Sequence, residues 1–192
     1  AEIEKSSASS EDKVMKYRKV VSIIDDAVAK VIQLIATHEK VPIVIGGGHN
    51  NCYPIIKGVA SALNLKISEF KGINCVNLDA HLDYRLAEGR HSGNGFRYAK
   101  QEGFLQKYFA LGIHENYVPQ HTQNDFDTRE GILFVSYEDV FVRQQKNWIN
   151  VLDDAVKFVG IDHAMGVELD LDSIENIPSS AAAPCGLTPR EA

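Results

Sequence analysis

Two short apolar runs constrain this chain more than any other feature. Ile73–Leu78 leads straight into Asp79-Ala80-His81-Leu82-Asp83, and the run Val167–Leu171 carries Asp170 and is followed at once by Asp172. Compact apolar runs of this length bounded by polar residues read as buried strands. In extended backbone, side chains two apart share a side. Asp79, His81 and Asp83 can therefore converge at one strand end, and Asp170 and Asp172 at another. In open parallel sheets that end is where ligands bind.

The rest of the chain alternates between helical and strand patterns. Val14–Ile35 sets apolar residues at three- and four-residue intervals, the stripe of an amphipathic helix, with Ser9 and Asp12 as its capping pair. Val41–Ile45 reads as a buried strand with Pro42 near its start, where a missing donor is tolerated, and it ends in Gly46-Gly47-Gly48. Pro54–Leu63 predicts a short helix, Phe109–Ile113 and Ile132–Val135 predict strands, and Trp148–Val159 predicts a further helix. Strands interleaved with helices imply βαβ units and a mainly parallel sheet, an α/β fold. Thr188-Pro189-Arg190-Glu191 then reads as a helix start, with Thr at the N-cap, Pro first and Glu third, and predicts that the parent chain continues beyond Ala192.

A length of 192 residues suits about one domain. The net charge of −6, with 20 scattered Lys and Arg, excludes nucleic acid as an expected partner. No apolar run approaches the roughly 20 residues of a membrane-spanning helix. Residues 1–13 also lack the basic and apolar regions of a signal peptide, so no membrane partner is expected and the expected location is the cytoplasm. Cys52, Cys75 and Cys185, odd in number and widely spaced, fit reduced thiols there.

The chemistry gathers at the strand ends. Carboxylates on one side repel unless a cation lies between them or one is protonated. Asp79, Asp83, Asp170 and Asp172 offer oxygen ligands for two divalent ions, and His49 and His81 add neutral nitrogens. Mostly hard donors suit Mn²⁺ better than the thiolate-rich sets that favour zinc. The glycine loop has no following Lys-Ser/Thr, which makes it a poor nucleotide cradle. Arg85, Arg90 and Arg97 crowd the segment after Asp83 and offer guanidinium forks for a carboxylate-bearing substrate.

In this order, GGGHN at 46–50, DAHLD at 79–83 and ELDLD at 168–172 resemble the ureohydrolase family of arginases, agmatinases and formimidoylglutamases, from about Val41 to the C-terminus. The segments EGRHSGNGF at 88–96 and IPSSA at 177–181 look most like the formimidoylglutamase branch. The resemblance implies one arginase-like domain over residues 1–192, a three-layer sandwich around a mainly parallel sheet, incomplete at the C-terminus and the N-terminus relative to the family. It also implies two Mn²⁺ ions per chain, with His49 and Asp83 holding one, His81 and Asp172 the other, and Asp79 and Asp170 bridging both.

The implied reaction is attack of a hydroxide shared by the two ions, steadied by Asp83, on the planar carbon of a linear amidine. For formimidoylglutamase this converts N-formimidoyl-L-glutamate and water to L-glutamate and formamide, in histidine degradation; the alternative is arginase or agmatinase chemistry. His91 is the candidate proton carrier. In arginases the shuttle histidine follows Ser-Gly-Asn, whereas His91 precedes Ser92-Gly93-Asn94 and Phe96 takes the later place. Ser92 and Asn94 match positions that contact the amino-acid end of the substrate, and with Arg85 and Arg90 they imply a small amidine or guanidine carrying carboxylates. A homo-oligomer is a further expectation.

Two departures stand out. Many members have Gly-Gly-Asp-His where this chain has Gly-Gly-Gly-His, so position 48 brings no carboxylate to orient His49. The family also carries, past this C-terminus, a later strand and an acidic residue that contacts the amidine. The competing expectation from another class is therefore a metal-free structural fragment without activity. A single-metal deacetylase of related fold is disfavoured by the second carboxylate pair, Asp170 and Asp172.

Overall fold

The computed structural model describes residues 2–5, 9–64, 70–120, 122, 131–162, 164–179, 181 and 183–192. After a single turn, α1 (Glu2–Lys5), the long helix α2 spans Ser10–Thr37. Ser9 caps it as expected, its hydroxyl accepting the Asp12 N–H at 3.1 Å. Only part of the apolar stripe is covered: Asp25, Ala29 and Ile32 are buried, while Ile24 and Val31 remain exposed. The buried face packs on α3 (Cys52–Asn64), where Gly58 lets the two helices meet.

That approach is close. A Cβ on Gly58 would lie 2.6 Å from the Ala29 carbonyl oxygen and 2.7 Å from Ile32 Cβ. Because the first obstacle is backbone, relief requires α2 and α3 to separate. Gly58→Ala is expected to cost about 1–3 kcal/mol, read as a lower midpoint in urea with an unchanged slope; an unchanged midpoint would show that the helices part freely.

Four strands follow: β1 (Ile73–Leu78), β2 (Leu105–Ile113), β3 (Ile132–Ser136) and β4 (Met165–Leu169). All pairings are parallel, in the order β3-β2-β1-β4. Between β1 and β2 runs α4 (Gly95–Gln101), and between β3 and β4 runs α5 (Trp148–Val159). Cys52, Ile56 and Phe96 pack with Ile73, Cys75 and Tyr108 on one face of the sheet. Val151, Ala155 and Val159 of α5 pack with Phe109, Leu111 and Val135 on the other. The result is the expected helix–sheet–helix sandwich. β1 and α5 match their predicted limits, whereas β2 begins four residues before Phe109, where the polar Gln106 and Lys107 mask the pattern.

One predicted strand is absent. Val41–Ile45 pairs with no described strand, and Val41, Ile43 and Ile45 are 86%, 84% and 93% exposed. The residues favour extended backbone, but a strand also needs a neighbour to take its N–H and C=O groups. β4 is itself an edge, with Val167 72% exposed. At the other end, Thr188 and Glu191 form the predicted capping contacts within a turn, the Glu191 carboxylate accepting from Thr188 N and Oγ1, both at 2.8 Å. Among the described residues no helix is long and apolar enough to cross a membrane.

Candidate metal centre

The sheet delivers its polar residues to one edge. Hydrogen bonds extend the ladder past the named strands, Asp79 N–H to Leu111 O at 3.0 Å and Asp170 N–H to Leu78 O at 2.9 Å. Both aspartates are thereby fixed at the carboxyl ends of neighbouring strands. His49 arrives from the turn that precedes α3, where Gly46 and Gly47 hold φ of 84° and 88°, backbone that other residues rarely adopt. Asp83 itself has φ of 44°, a left-handed conformation that aspartate tolerates better than most residues.

Six side chains meet there. His49 Nδ1 lies 2.8 Å from Asp83 Oδ2, 3.1 Å from Asp79 Oδ2 and 3.2 Å from Asp170 Oδ2. His81 Nδ1 lies 3.1 Å from Asp172 Oδ2 and 3.7 Å from Asp79 Oδ1. Ligand atoms of His49, Asp79 and Asp83 form one group within 4.8 Å, and those of Asp79, His81 and Asp172 form a second. Asp79, which is wholly buried, belongs to both. Asp170 touches His49 and uses its other oxygen to accept the Asp172 N–H at 3.1 Å.

The electrostatics call for positive charge. Burial would push the His49 imidazole down, but its contacts with Asp170, Asp79 and Asp83 outweigh that and raise it far above the usual range. Asp172 and Asp79 raise His81 to about 10. Burial acts to raise Asp79, yet His49 and His81 bring it below the ordinary carboxylate value. Burial raises Asp83 and Asp172, and at Glu168, two residues before Asp170, it does the same against the pull of His49. His49 Nδ1 and Nε2 and Asp172 Oδ1 are buried without a hydrogen bond. Four carboxylates against two divalent cations balance with both imidazoles neutral, and the mixed O/N donor set fits such ions.

Protons and cations compete for these groups. Ligation needs unprotonated imidazoles, so cation uptake releases protons and tightens as pH rises. Calorimetric titration with Mn²⁺ from about pH 6 to about pH 8, in buffers of differing ionisation enthalpy, is expected to show rising affinity and net proton release. Affinity that does not change with pH would contradict the ligand assignment.

A cavity of about 550 Å³ opens over the cluster, bordered by His49, His81, Asp172, Arg85, His91 and Ser92. That volume suits a small ligand. Arg85 is exposed, and its guanidinium makes no hydrogen bond or ion pair among the described residues. His91 caps the turn Ser92–Asn94, its Nδ1 accepting the Gly93 N–H at 3.1 Å, which leaves the proton of the neutral ring on Nε2. Burial, then Arg85, lowers its pKa.

Two expected substrate contacts are placed elsewhere. Arg90 is buried, donating to Asp25 at 2.8 Å, Asn94 at 2.7 Å and the Asn50 carbonyl at 2.8 Å, beneath the Tyr53 ring. Asn94 is fully buried, accepting from Arg90 and His91 N and donating to the Leu86 and Gly89 carbonyls. Neither borders the cavity, because both are spent holding the loop that carries His91. Arg97 is likewise turned to the Tyr84 and Arg85 carbonyls. Phe96 packs edge-on against His49, with centroids 5.6 Å apart, so the place where arginases carry a shuttle histidine is occupied by a wall of the site. Ser179 and Ala181 of the IPSSA segment are described; Ser180 lies outside the described residues.

Sequence reasoning missed several supports. Tyr117 stacks on His81 at 4.6 Å, and Asn77 Nδ2 bonds both Asp79 and the Tyr108 hydroxyl at 3.1 Å. Asn77 stands two residues before Asp79 on the same side of β1, the one local signal available; Tyr117 and Tyr108 reach the site from β2 and the loop after it, with no spacing to announce them.

A helix–sheet–helix sandwich with carboxylates and imidazoles at the carboxyl edge of a parallel sheet defines an α/β protein of the open-sheet class with a candidate metal centre at that edge. The chain belongs to the arginase family, whose sequence model matches residues 6–192. It is 28% identical over 182 residues to a formimidoylglutamase of Macrococcus caseolyticus, covering 93% of this chain and 54% of that protein. A formimidoylglutamase of Streptococcus pyogenes is 29% identical over 160 residues, covering 78% and 45%. Among solved structures, Bacillus subtilis formimidoylglutamase matches with a TM-score of 0.70 at 20% identity, covering 87% of this chain and 52% of that one. Trypanosoma cruzi formiminoglutamase with Mn²⁺ matches at 0.71 and 21% identity, covering 97% and 58%. The chain spans about half the length of these relatives.

Proposed function

We propose that this chain carries the metal centre of a formimidoylglutamase, hydrolysing N-formimidoyl-L-glutamate to L-glutamate and formamide within one arginase-like domain. The observation that carries the reading is the pair of ligand groups sharing Asp79 beneath a cavity whose rim holds the unpaired Arg85. The curated relatives named above and the Mn²⁺ in the Trypanosoma cruzi structure support it.

In this reading His49, Asp79, Asp83 and Asp170 surround one cation site, and His81, Asp79 and Asp172 the other. Two divalent cations bound there supply hydroxide near neutral pH by lowering the pKa of water. Asp83 accepts a hydrogen bond from the attacking oxygen. The Arg85 guanidinium pairs with a substrate carboxylate as a bidentate fork, and Ser92 adds a hydroxyl on the same rim. His91 borders the cavity as the candidate proton carrier, its Nε2 3.7 Å from Glu88 Oε1. The ring can protonate the leaving nitrogen once Nδ1 takes up a proton in place of the Gly93 N–H contact.

The test is turnover of N-formimidoyl-L-glutamate, arginine and agmatine by the Mn²⁺-loaded chain. Formamide release from the first alone is expected. Arg85→Met is expected to raise KM by about tenfold or more with kcat little changed, the mark of a lost ground-state contact. Urea release from arginine or agmatine at a higher kcat/KM would overturn the substrate assignment.

A further inference from the structure

A second cavity, of about 340 Å³, is bordered by Gly48, His49, Cys52, Glu168 and Asp170. The Nε2 atom of His49, a residue that borders this cavity, is buried without a hydrogen bond. Glu168 lies opposite Asn77 across the β1–β4 ladder, so both side chains project from the same face of the sheet. Its carboxylate has no hydrogen bond or ion pair among the described residues. An imidazole donor without an acceptor and a carboxylate without a donor thus border one space. A histidine that binds a cation through one nitrogen needs the other held, because that bond fixes the tautomer and the ring orientation.

Gly48 borders the same space. Its φ of −79° and ψ of 154° are ordinary extended values, so the backbone there does not require glycine. A Cβ built on it meets only the Asn50 side chain, at 2.7 Å to Oδ1, the movable end of a flexible group. The position is therefore able to carry a side chain beside His49, and in this chain it carries none.

We propose that Glu168 is a positioning residue for the metal centre: across this cavity, directly or through one water, its carboxylate accepts the His49 Nε2–H and leaves Nδ1 free for a cation. It thereby supplies from β4 the carboxylate that position 48 lacks. The inference rests on the metal-centre reading above.

The test is calorimetric titration of the whole chain with Mn²⁺, alongside thermal unfolding in the absence of added metal. Glu168→Gln keeps the size of the side chain and removes its charge. It is expected to weaken Mn²⁺ binding by about ten- to a hundredfold without lowering the metal-free unfolding midpoint. Adding Gly48→Asp to Glu168→Gln is expected to restore most of the affinity, a rescue that a purely structural role for Glu168 does not give. Gly48→Asp alone is expected to leave the affinity of the parent chain unchanged, because the imidazole already has its acceptor. Equal Mn²⁺ binding by the parent and Glu168→Gln, a loss that Gly48→Asp fails to rescue, or a gain from Gly48→Asp alone would each overturn the assignment of Glu168. A parent chain that takes up no Mn²⁺ would instead overturn the metal-centre reading, and this inference with it.

Discussion

Asp79→Asn is expected to strip both cations from the chain. Asp79 is wholly buried, and its two oxygens face different partners: Oδ1 accepts the His81 N–H at 2.7 Å, while Oδ2 accepts from Asn77 at 3.1 Å and lies 3.1 Å from His49 Nδ1. Asparagine keeps the shape but turns one oxygen into a donor. In either orientation that donor confronts another, the His81 N–H or the Asn77 amide, and the negative charge common to both ligand groups disappears. Metal analysis is expected to show a fall from about two equivalents to well under about one, with at least ~10³-fold loss of turnover, about 4 kcal/mol of transition-state stabilisation. Asp83→Asn and Asp172→Asn each touch one group only and are expected to leave about one equivalent. If Asp79→Asn retained both ions, Asp79 would not be the shared ligand.

The largest effect on stability is expected at Arg90, a residue whose neighbours in sequence suggest a substrate contact. Its side chain links α2, through Asp25, to the turn carrying His49, through the Asn50 carbonyl, and to the His91 loop, through Asn94. The ion-pair partners are 5% and 2% exposed. Burial already pushes the Asp25 carboxyl up, and the Arg90 hydrogen bond opposes it. Arg90→Ala leaves that carboxylate unpaired inside the protein, a change that costs about 3–5 kcal/mol. For a chain of this size the melting temperature should fall on the order of 10 °C. Adding Asp25→Leu removes the stranded charge and should recover part of the loss. An unchanged melting temperature with a raised KM would return Arg90 to the substrate.

Legibility followed the range of the interactions involved. β1 was readable from Ile73 to Leu78, and Asp79 and His81 could be assigned to one side of its end, because strand periodicity is set within a few residues of backbone. Ser9, Gly46 and Gly47 were readable for the same reason: a cap and a left-handed turn are chosen by the residues that occupy them. Val41–Ile45 shows where that reasoning ends. Its residues prefer extended backbone, but pairing is decided by whatever lies alongside, and here no described strand does. Arg85 and Arg90 make the same point within a few residues of each other. Both are guanidinium groups on one loop, yet one faces the cavity and the other is buried against Asp25, sixty-five residues earlier.

By itself, the sequence determined the α/β class, the six polar residues that leave the strands and turns as ligand candidates, and the hard donor set that suits divalent cations. These depend on local periodicity and on the chemistry of side chains. Only the tertiary structure decided that Asp79, and not Asp170, lies in both ligand groups, that Arg85 rather than Arg90 or Asn94 faces the cavity, and that Glu168 shares a second cavity with His49. Those outcomes depend on which strands lie side by side and how deeply each charge is buried, and burial is a property of the packed chain.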